Sequence, residues 1–397
     1  MFDRCTQFEA RAVALGEALG CVTAESVVSA VAVPPFANTA MDGFAVRAVD
    51  VATAPVELRV VATLAAGAEP TVAVGPGEAI RIMTGAAIPP GADAVVPKEN
   101  TIDGSTSMHV VVTQRGAAGD CLRPPGEDVA LGQEVFGAAT VLGPGHLGVL
   151  ASLGLTDVAA FRRARVGVLS TGDELVEAPL PLRVGQIRDS NRHTLLGLVR
   201  RLGCDAVDLG LARDDDAVIE TAMRNGIASC DAIVTSGGVS VGDFDYVKVV
   251  LDRLAKETGE PMRWMQIAIK PAKPLAFGVI GGRPVFGLPG NPVSSMVSFE
   301  LFARPALRKM MGHPAGTWGH VPINAIADDG LLRSPDGKTH FVRVGARFEA
   351  DGRLHVHALS GQASNLLRSM ALANALAVLP DGAGVAPRGD VEVMLLS

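Results

Sequence analysis

The sequence lacks any apolar run long enough to cross a bilayer. Apolar residues make up 48% of it and mean hydropathy is +0.31, yet Gly, Pro or a charge interrupts every run before about 18 residues, so a soluble chain without membrane contact is expected. A secretory leader is missing too, because the opening MFDRCTQFEARA mixes acid with base and has no apolar stretch. The cysteines (Cys5, Cys21, Cys121, Cys204 and Cys230) are scattered, odd in number and without C-x-x-C spacing. That excludes a disulfide framework and a zinc knuckle, and points to the cytoplasm. Aromatic residues are only 4%, net charge is −7 and no basic block occurs. Neither a phosphate-tracking stripe nor base-stacking platforms are on offer, so nucleic acid is not an expected partner. No G-x-x-x-x-G-K-[ST] is present, which excludes a P-loop. An anionic small ligand stays open, since a few cations in a cleft count for more than total charge.

What is present is organised in three stretches. A chain of 397 residues exceeds one ordinary core and predicts two to four domains at about 100–200 residues each. The 45 glycines and 25 prolines punctuate periodic segments without forming a low-complexity tract, so many tight turns are expected. Residues 1–163 open with an expected helix over Phe8–Leu19, closed by Gly20. Short β-type runs follow at Val56–Leu64, Glu78–Met83 and Met108–Gln114, giving an inserted β module over about 47–123. A helix near His146–Leu153 returns the chain to the N-terminal unit. Residues 164–318 alternate strand and helix: RVGVLS, a helix over Ser190–Leu202, DAVDLGL, a helix over Asp215–Arg224, DAIVTS, a helix over Asp245–Leu254, then MQIAI as a fourth strand. This rhythm predicts a doubly wound parallel sheet with helices on both faces. After a long helical run, Pro292–Met311, residues 319–397 show the two-residue alternation of a small barrel or sandwich in HFVRVGARF and RLHVHAL. The expected fold class is multidomain α/β plus β.

Ligands of open α/β sheets sit at the carboxyl ends of the strands, and here those ends carry glycine beside acid. Ser236-Gly237-Gly238 offers bare amides with no Cβ to hold a phosphate away, and Asp243 and Asp245 follow. Capping of the next helix is an equally good reading of Asp243. Ser170-Thr171-Gly172-Asp173-Glu174 repeats the pattern at a second strand end. Two such acidic loops facing one cleft repel by about 4 kcal/mol at about 4 Å for an effective dielectric near 20, a penalty a divalent cation removes. Mg²⁺ prefers one or two carboxylates plus water and phosphate, which suits this mixture. The third end, LGLARDDD (Leu209–Asp216), places three carboxylates before a helix, and compensation of the helix dipole alone would account for them. The fourth, Ile269-Lys270-Pro271-Ala272-Lys273-Pro274, fixes two lysines three apart on a proline-stiffened turn between apolar runs, a pair suited to an oxyanion. GLPGNPVSS (Gly287–Ser295) then leads into a helix whose first-turn amides and hydroxyls can also meet an anion.

Other matches weigh less. Gly143–Gly148 satisfies G-x-G-x-x-G without the surrounding βαβ unit, so a turn and helix start is the better reading. Gly238–Gly242 satisfies G-x-S-x-G, leaving open a serine hydrolase with Ser240 as nucleophile. His355 and His357 share a strand face but have no third ligand nearby, which favours packing over a metal site.

Taken in order, PPFANTAMDGFAVR, RIMTGAAIPPGADAVV, RPPGEDV, STGDEL, DSN, SGGVSVGDFDY, IKPAKPLAFG and GLPGNPVSS resemble the molybdopterin molybdenumtransferases of molybdenum cofactor biosynthesis, related to the E domain of gephyrin. The resemblance covers nearly the whole chain. It implies an elongated homodimer with an N-terminal part, an inserted β module, a central molybdopterin-binding α/β domain shared with MogA-like molybdopterin adenylyltransferases, and a C-terminal β-barrel. The implied reaction inserts molybdate into adenylyl-molybdopterin with Mg²⁺ present and AMP released. Transient contact with a molybdopterin adenylyltransferase and with molybdoenzymes is implied as well.

Carried over by motif, the implied catalytic positions are Asp42, Thr84, Asp128, Glu174, Asp214 and Asp245, with Glu174 and Asp245 assigned to Mg²⁺ and the nucleotide phosphates. Ser170, Gly172, Ser236, Gly237 and Gly238 are expected against the substrate. Lys270, Lys273 and Ser294 are expected against molybdate or pterin anions, and Arg343 and Ser364 are expected to look across the same cleft. Departures from the family pattern are Gln266, where a cation is usual, and Ala272, where Gly is common. A non-catalytic scaffold with this fold is the remaining alternative. Mo versus W preference is not fixed by the sequence.

Overall fold

A computed structural model describes residues 1–239 and 246–396 of the chain. Its middle third forms a six-stranded sheet in the order Asp205–Ala212, Arg165–Thr171, Ala232–Ser236, Arg283–Leu288, Pro274–Ile280 and Arg263–Gln266. The first four strands run parallel and the last two antiparallel to their neighbours. The fourth parallel strand is therefore Arg283–Leu288, and the expected MQIAI strand instead ends the sheet at Gln266. The reason is the pair Gly281-Gly282, at φ 58° and 77°, because a two-residue connection can join only antiparallel strands.

Both faces of the sheet are covered, as the alternation of strand and helix requires. Val166, Val168, Ala232 and Val234 pack with Leu195, Leu198, Val199, Phe299 and Leu307 on one face. Leu169, Ile233 and Val285 pack with Ile219, Met223, Val247 and Leu251 on the other. At about 1.5–3 kcal/mol for each large apolar side chain removed from water, these two layers dominate the stability of the unit. The helices are Asn191–Arg201 and Asp216–Ser229, then Tyr246–Glu257 and a run from Pro292 to Met310. That run holds a π-helical segment, Phe299–Ala303, between two α-helical ones. Asp215 caps the second helix, its carboxylate accepting from the amides of Ala217 and Val218 at 2.9 Å, which accounts for one of the carboxylates of LGLARDDD.

In the N-terminal unit the expected Phe8–Leu19 helix is a strand, Ala10–Ala14, followed by a single 3₁₀ turn, Leu15–Glu17. The strand pairs antiparallel with Asp157–Phe161 in the register Ala10 to Phe161. An alanine-rich segment has helical propensity worth only tenths of a kcal/mol per residue, and a partner strand far along the chain overrides it. The β module is a six-stranded sheet ordered Ala94–Pro97, Gly43–Val46, Glu78–Ile82, Val56–Leu64, His109–Val112 and Thr101–Asp103. It starts at Gly43, a few residues before the expected boundary. A helix at Pro144–Ser152 leads back to the Asp157–Phe161 strand.

The C-terminal strands Ile323–Ala327, Thr339–Phe348, Leu354–Ala358, Ala375–Leu379 and Asp390–Leu395 pair in a ring that closes between Thr339–Phe348 and Ala375–Leu379. This is a five-stranded barrel. A short strand from the central unit, Ile269–Lys270, adds to its rim in parallel, with Lys270 in register with His340.

Candidate active site

The carboxyl ends of the parallel strands surround a cavity of about 370 Å³ lined by Thr171, Gly172, Glu174, Asp214, Gly237 and Gly238, with Asn291 and Ser294 on the far side. Two glycines are required by geometry. Gly237 has φ 97°, and a Cβ on it would lie 2.7 Å from the Thr171 carbonyl; at Gly172, φ 147°, a Cβ would lie 2.5 Å from Glu174 Oε2. The loops can thus bring backbone amides and the Glu174 carboxylate to one edge only if these residues stay bare. Asp214 and Asp173 face each other across the two loops, each carboxylate receiving the other's amide, at 3.2 and 3.4 Å. Burial raises the Asp214 carboxyl above the ordinary carboxylate range, and the charge of Asp173 adds to that against the amide it accepts.

Two expected contacts do not reach this cavity. Ser170 is fully buried and donates to Asp189 Oδ1 at 3.0 Å. Ser236 is buried, with its hydroxyl accepting from Asn191 Nδ2 at 2.7 Å. The pleat is the cause, because the residue that lines the cavity from the first strand is Thr171, one step on and pointing to the opposite face. The DSN motif explains these bonds. Asn191 also donates to the Gly290 carbonyl at 2.7 Å, joining two strand-end loops. Next to it, buried Arg192 binds Asp189 at 2.9 Å and Asp208 at 2.7 and 2.9 Å, and also contacts Glu177. The motif is a clamp beneath the site.

A second cavity, about 1110 Å³, lies between the central unit and the barrel. Lys270 and Lys273 line it, with Ser294 and Ser364, as expected from the sequence. It shares Pro274, Asn291 and Ser294 with the smaller cavity, so the two are contiguous. Ala272, between the lysines, has φ 81°, the left-handed conformation in which glycine carries no steric penalty. Gln266 is exposed and lines neither cavity.

Arg343 departs from expectation: it is 0% exposed and does not line the cavity. Its Nε donates to Ser369 Oγ at 3.1 Å and its Nη2 to the carbonyls of Gly361 and Ala363 at 2.7 and 3.2 Å. It thereby holds the loop whose Gln362, Ala363 and Ser364 form the cavity wall. Among the described residues no carboxylate pairs with it, Nη1 has no hydrogen-bond partner, and burial pushes its guanidinium pKa down. Alternation with Phe341, which is also buried on this strand, is the signal in HFVR that places Arg343 inward. Sequence reasoning missed Asn291, Arg333, Asp336, Lys338 and His340, which complete the walls. His340 was legible in principle, as it alternates with Phe341.

The N-terminal positions form a separate group. Asp42 Oδ1 accepts from the amide and the hydroxyl of Thr84 at 2.7 and 2.6 Å, and these bonds hold its carboxyl below the usual range. Asp128 is exposed. None of the three lines either cavity. Asp245, Asp243 and the Ser240 elbow lie outside the described residues. Among the described residues, no three His, Cys, Asp or Glu side chains gather closely enough to hold a metal ion. His355 fits the packing reading, buried and bonded to Asp328 at 2.6 Å and Asp351 at 3.1 Å. No helix among the described residues is long and apolar enough to cross a membrane.

Comparison with known proteins agrees with this division. Residues 2–154 match the MoeA N-terminal region (domain I and II), residues 167–309 a probable molybdopterin binding domain, and residues 330–396 the MoeA C-terminal region (domain IV). A Haemophilus influenzae molybdopterin molybdenumtransferase is 38% identical, covering 95% of this chain and 91% of its own. Molybdopterin molybdenumtransferase 2 of Mycobacterium tuberculosis is 38% identical over 93% and 90%. The crystal structure of a molybdopterin biosynthesis moeA protein from Pyrococcus horikoshii superposes with a TM-score of 0.76 at 29% identity, covering 99% and 97%. Relatedness at this level runs through all the units and the strand ends between them. This chain belongs to the molybdopterin molybdenumtransferase family.

Proposed function

We propose that the protein inserts molybdate into adenylyl-molybdopterin and releases AMP. The observation that carries this reading is the contiguity of the two cavities: a glycine-and-carboxylate cleft suited to a phosphoanhydride opens through Ser294 and Asn291 onto a lysine-lined cavity suited to an oxometal dianion. A substrate with a nucleotide at one end and a dithiolene at the other needs that arrangement. In this reading the amides of Gly237 and Gly238 meet the phosphates. Lys270, Lys273, Ser294 and Ser364 grip molybdate, and the buried Arg343 guanidinium adds an uncompensated positive charge behind the 361–364 loop.

The oxygen-only donors of the cleft fit a hard divalent cation. Glu174 and Asp245 are assigned to Mg²⁺, with Asp214 alongside. When bound, Mg²⁺ neutralises the phosphoanhydride and favours departure of AMP. Asp42, Thr84 and Asp128 are assigned to the same reaction through a homodimer, in which the N-terminal unit of a second copy faces the cleft. Contact with a molybdopterin adenylyltransferase, with molybdoenzymes and a cytoplasmic location fit such a biosynthetic role. Boundaries near residues 163 and 318 are proposed for the three units.

Purified protein given adenylyl-molybdopterin, Mg²⁺ and molybdate should release AMP only when molybdate is present, and Asp245→Ala should abolish release while the fold survives. AMP release independent of molybdate, or none at all, would overturn the assignment.

A further inference from the structure

His340 stands on the barrel strand that walls the larger cavity, with its side chain 14% exposed. Its Nε2 lies 3.2 and 3.1 Å from Asp336 Oδ1 and Oδ2. Asp336 is also met by Arg333 and by Lys338 at 3.4 Å, and Arg333 reaches Asp381 at 3.2 Å. From the central unit, Lys270 is in register with His340 and Lys273 lines the same cavity. The charged groups facing the imidazole are thus Asp336, Lys338, Arg333 and Asp381 from the barrel, and the two lysines from the sheet. The Asp336 carboxyl is pushed down to about 2, chiefly by the His340 contact, against desolvation and with help from Lys338. Among these residue types, imidazole alone ordinarily changes charge between about pH 5 and 8.

We propose that His340 is a further binding determinant of the cavity, and that the charge on its imidazole sets how tightly a divalent oxyanion is held there. The inference rests on the reading of the cavity as a molybdate site. With the imidazole neutral, Asp336 opposes an incoming dianion beside Lys270. With the imidazole protonated, the pair is neutral and the lysines act unopposed. Asp336 serves as the internal counter-ion that an oxyanion must compete with, and His340 decides how strong that competitor is.

The test is titration calorimetry of the full-length protein with molybdate alone, at constant ionic strength, between about pH 5.5 and 8.5. Wild-type affinity should fall about tenfold across this range. His340→Gln should bind as wild type does at the alkaline end, with the pH dependence largely gone. Asp336→Asn, close in shape, should bind more tightly than wild type at high pH. A wild-type slope retained in His340→Gln, or no gain in Asp336→Asn, would overturn the proposal while leaving the cavity a molybdate site. Failure of wild-type protein to bind molybdate at any pH would remove the site itself, and this inference with it.

Discussion

The side-chain amide of Asn191 lies 2.7 Å from the hydroxyl oxygen of Ser236 and equally close to the carbonyl of Gly290. One residue at the start of a helix thus ties together the loops that end two parallel strands. Asn191→Ala leaves the buried Ser236 hydroxyl without this donor and frees Gly290. The expected loss is about 1–3 kcal/mol, seen as a lower unfolding temperature, with a raised KM for the adenylylated substrate because both loops line the cleft. An unchanged KM would separate the clamp from the site.

Arg192→Met should cost more. It strips the cation from Asp189, whose side chain is 1% exposed, and from Asp208 and Glu177. Leaving a buried carboxylate unpaired costs about 3–5 kcal/mol. Chemical denaturation followed by far-UV dichroism should show the central unit destabilised by that order. A near-neutral result would mean that Ser170 and the backbone suffice for Asp189.

The lysines lend themselves to a cleaner functional test because they are exposed and line the cavity without printed ion pairs among the described residues. Lys270→Ala and Lys273→Ala should each raise the molybdate concentration needed for half-maximal AMP release by about tenfold or more, the loss expected of a charge-assisted contact. Unfolding temperature should barely move.

His313 supplies a prediction about acid. It is buried, and desolvation first, then the charges of Arg308 and Arg304, lower its pKa to about 4. Its Nδ1 lies 3.2 Å from Arg308 Nη2, so the folded state holds the imidazole as a neutral acceptor. In the unfolded chain histidine protonates near pH 6.5. The unfolded state therefore binds the extra proton first as pH falls, and stability present above about pH 6.5 is lost progressively down to about pH 4, by an order of 3 kcal/mol in all. Denaturation of wild type and His313→Gln across that range should show a shallower slope in the variant.

Much of this architecture could be read from residues alone. The alternation of strand and helix from Arg165 placed both cores, and the Pro-stiffened Lys270 and Lys273 fall on the cavity wall as expected. What escaped was set at long range. Nothing in FEARAVALGEAL announces Asp157–Phe161 as its partner, so local propensity pointed to a helix. Ser170 and Ser236 share small size and position with Thr171 and Gly237, and only the pleat and the demands of Asp189 and Asn191 sort them inward. Arg343 was found as a position and misplaced as a contact, since a fully buried guanidinium without a carboxylate runs against the usual rule for charge.

The two-residue strand at Ile269 and Lys270 leaves its own sheet to hydrogen-bond with Thr339 and His340 on the barrel. The ammonium group at its end is consequently anchored to both bodies at once. Any swing of the barrel about its connection would drag that ammonium with it, so the spacing between the lysine pair and the barrel's side of the cavity is regulated by how the bodies are seated, and an alteration at the distant seam would be felt as a change in grip.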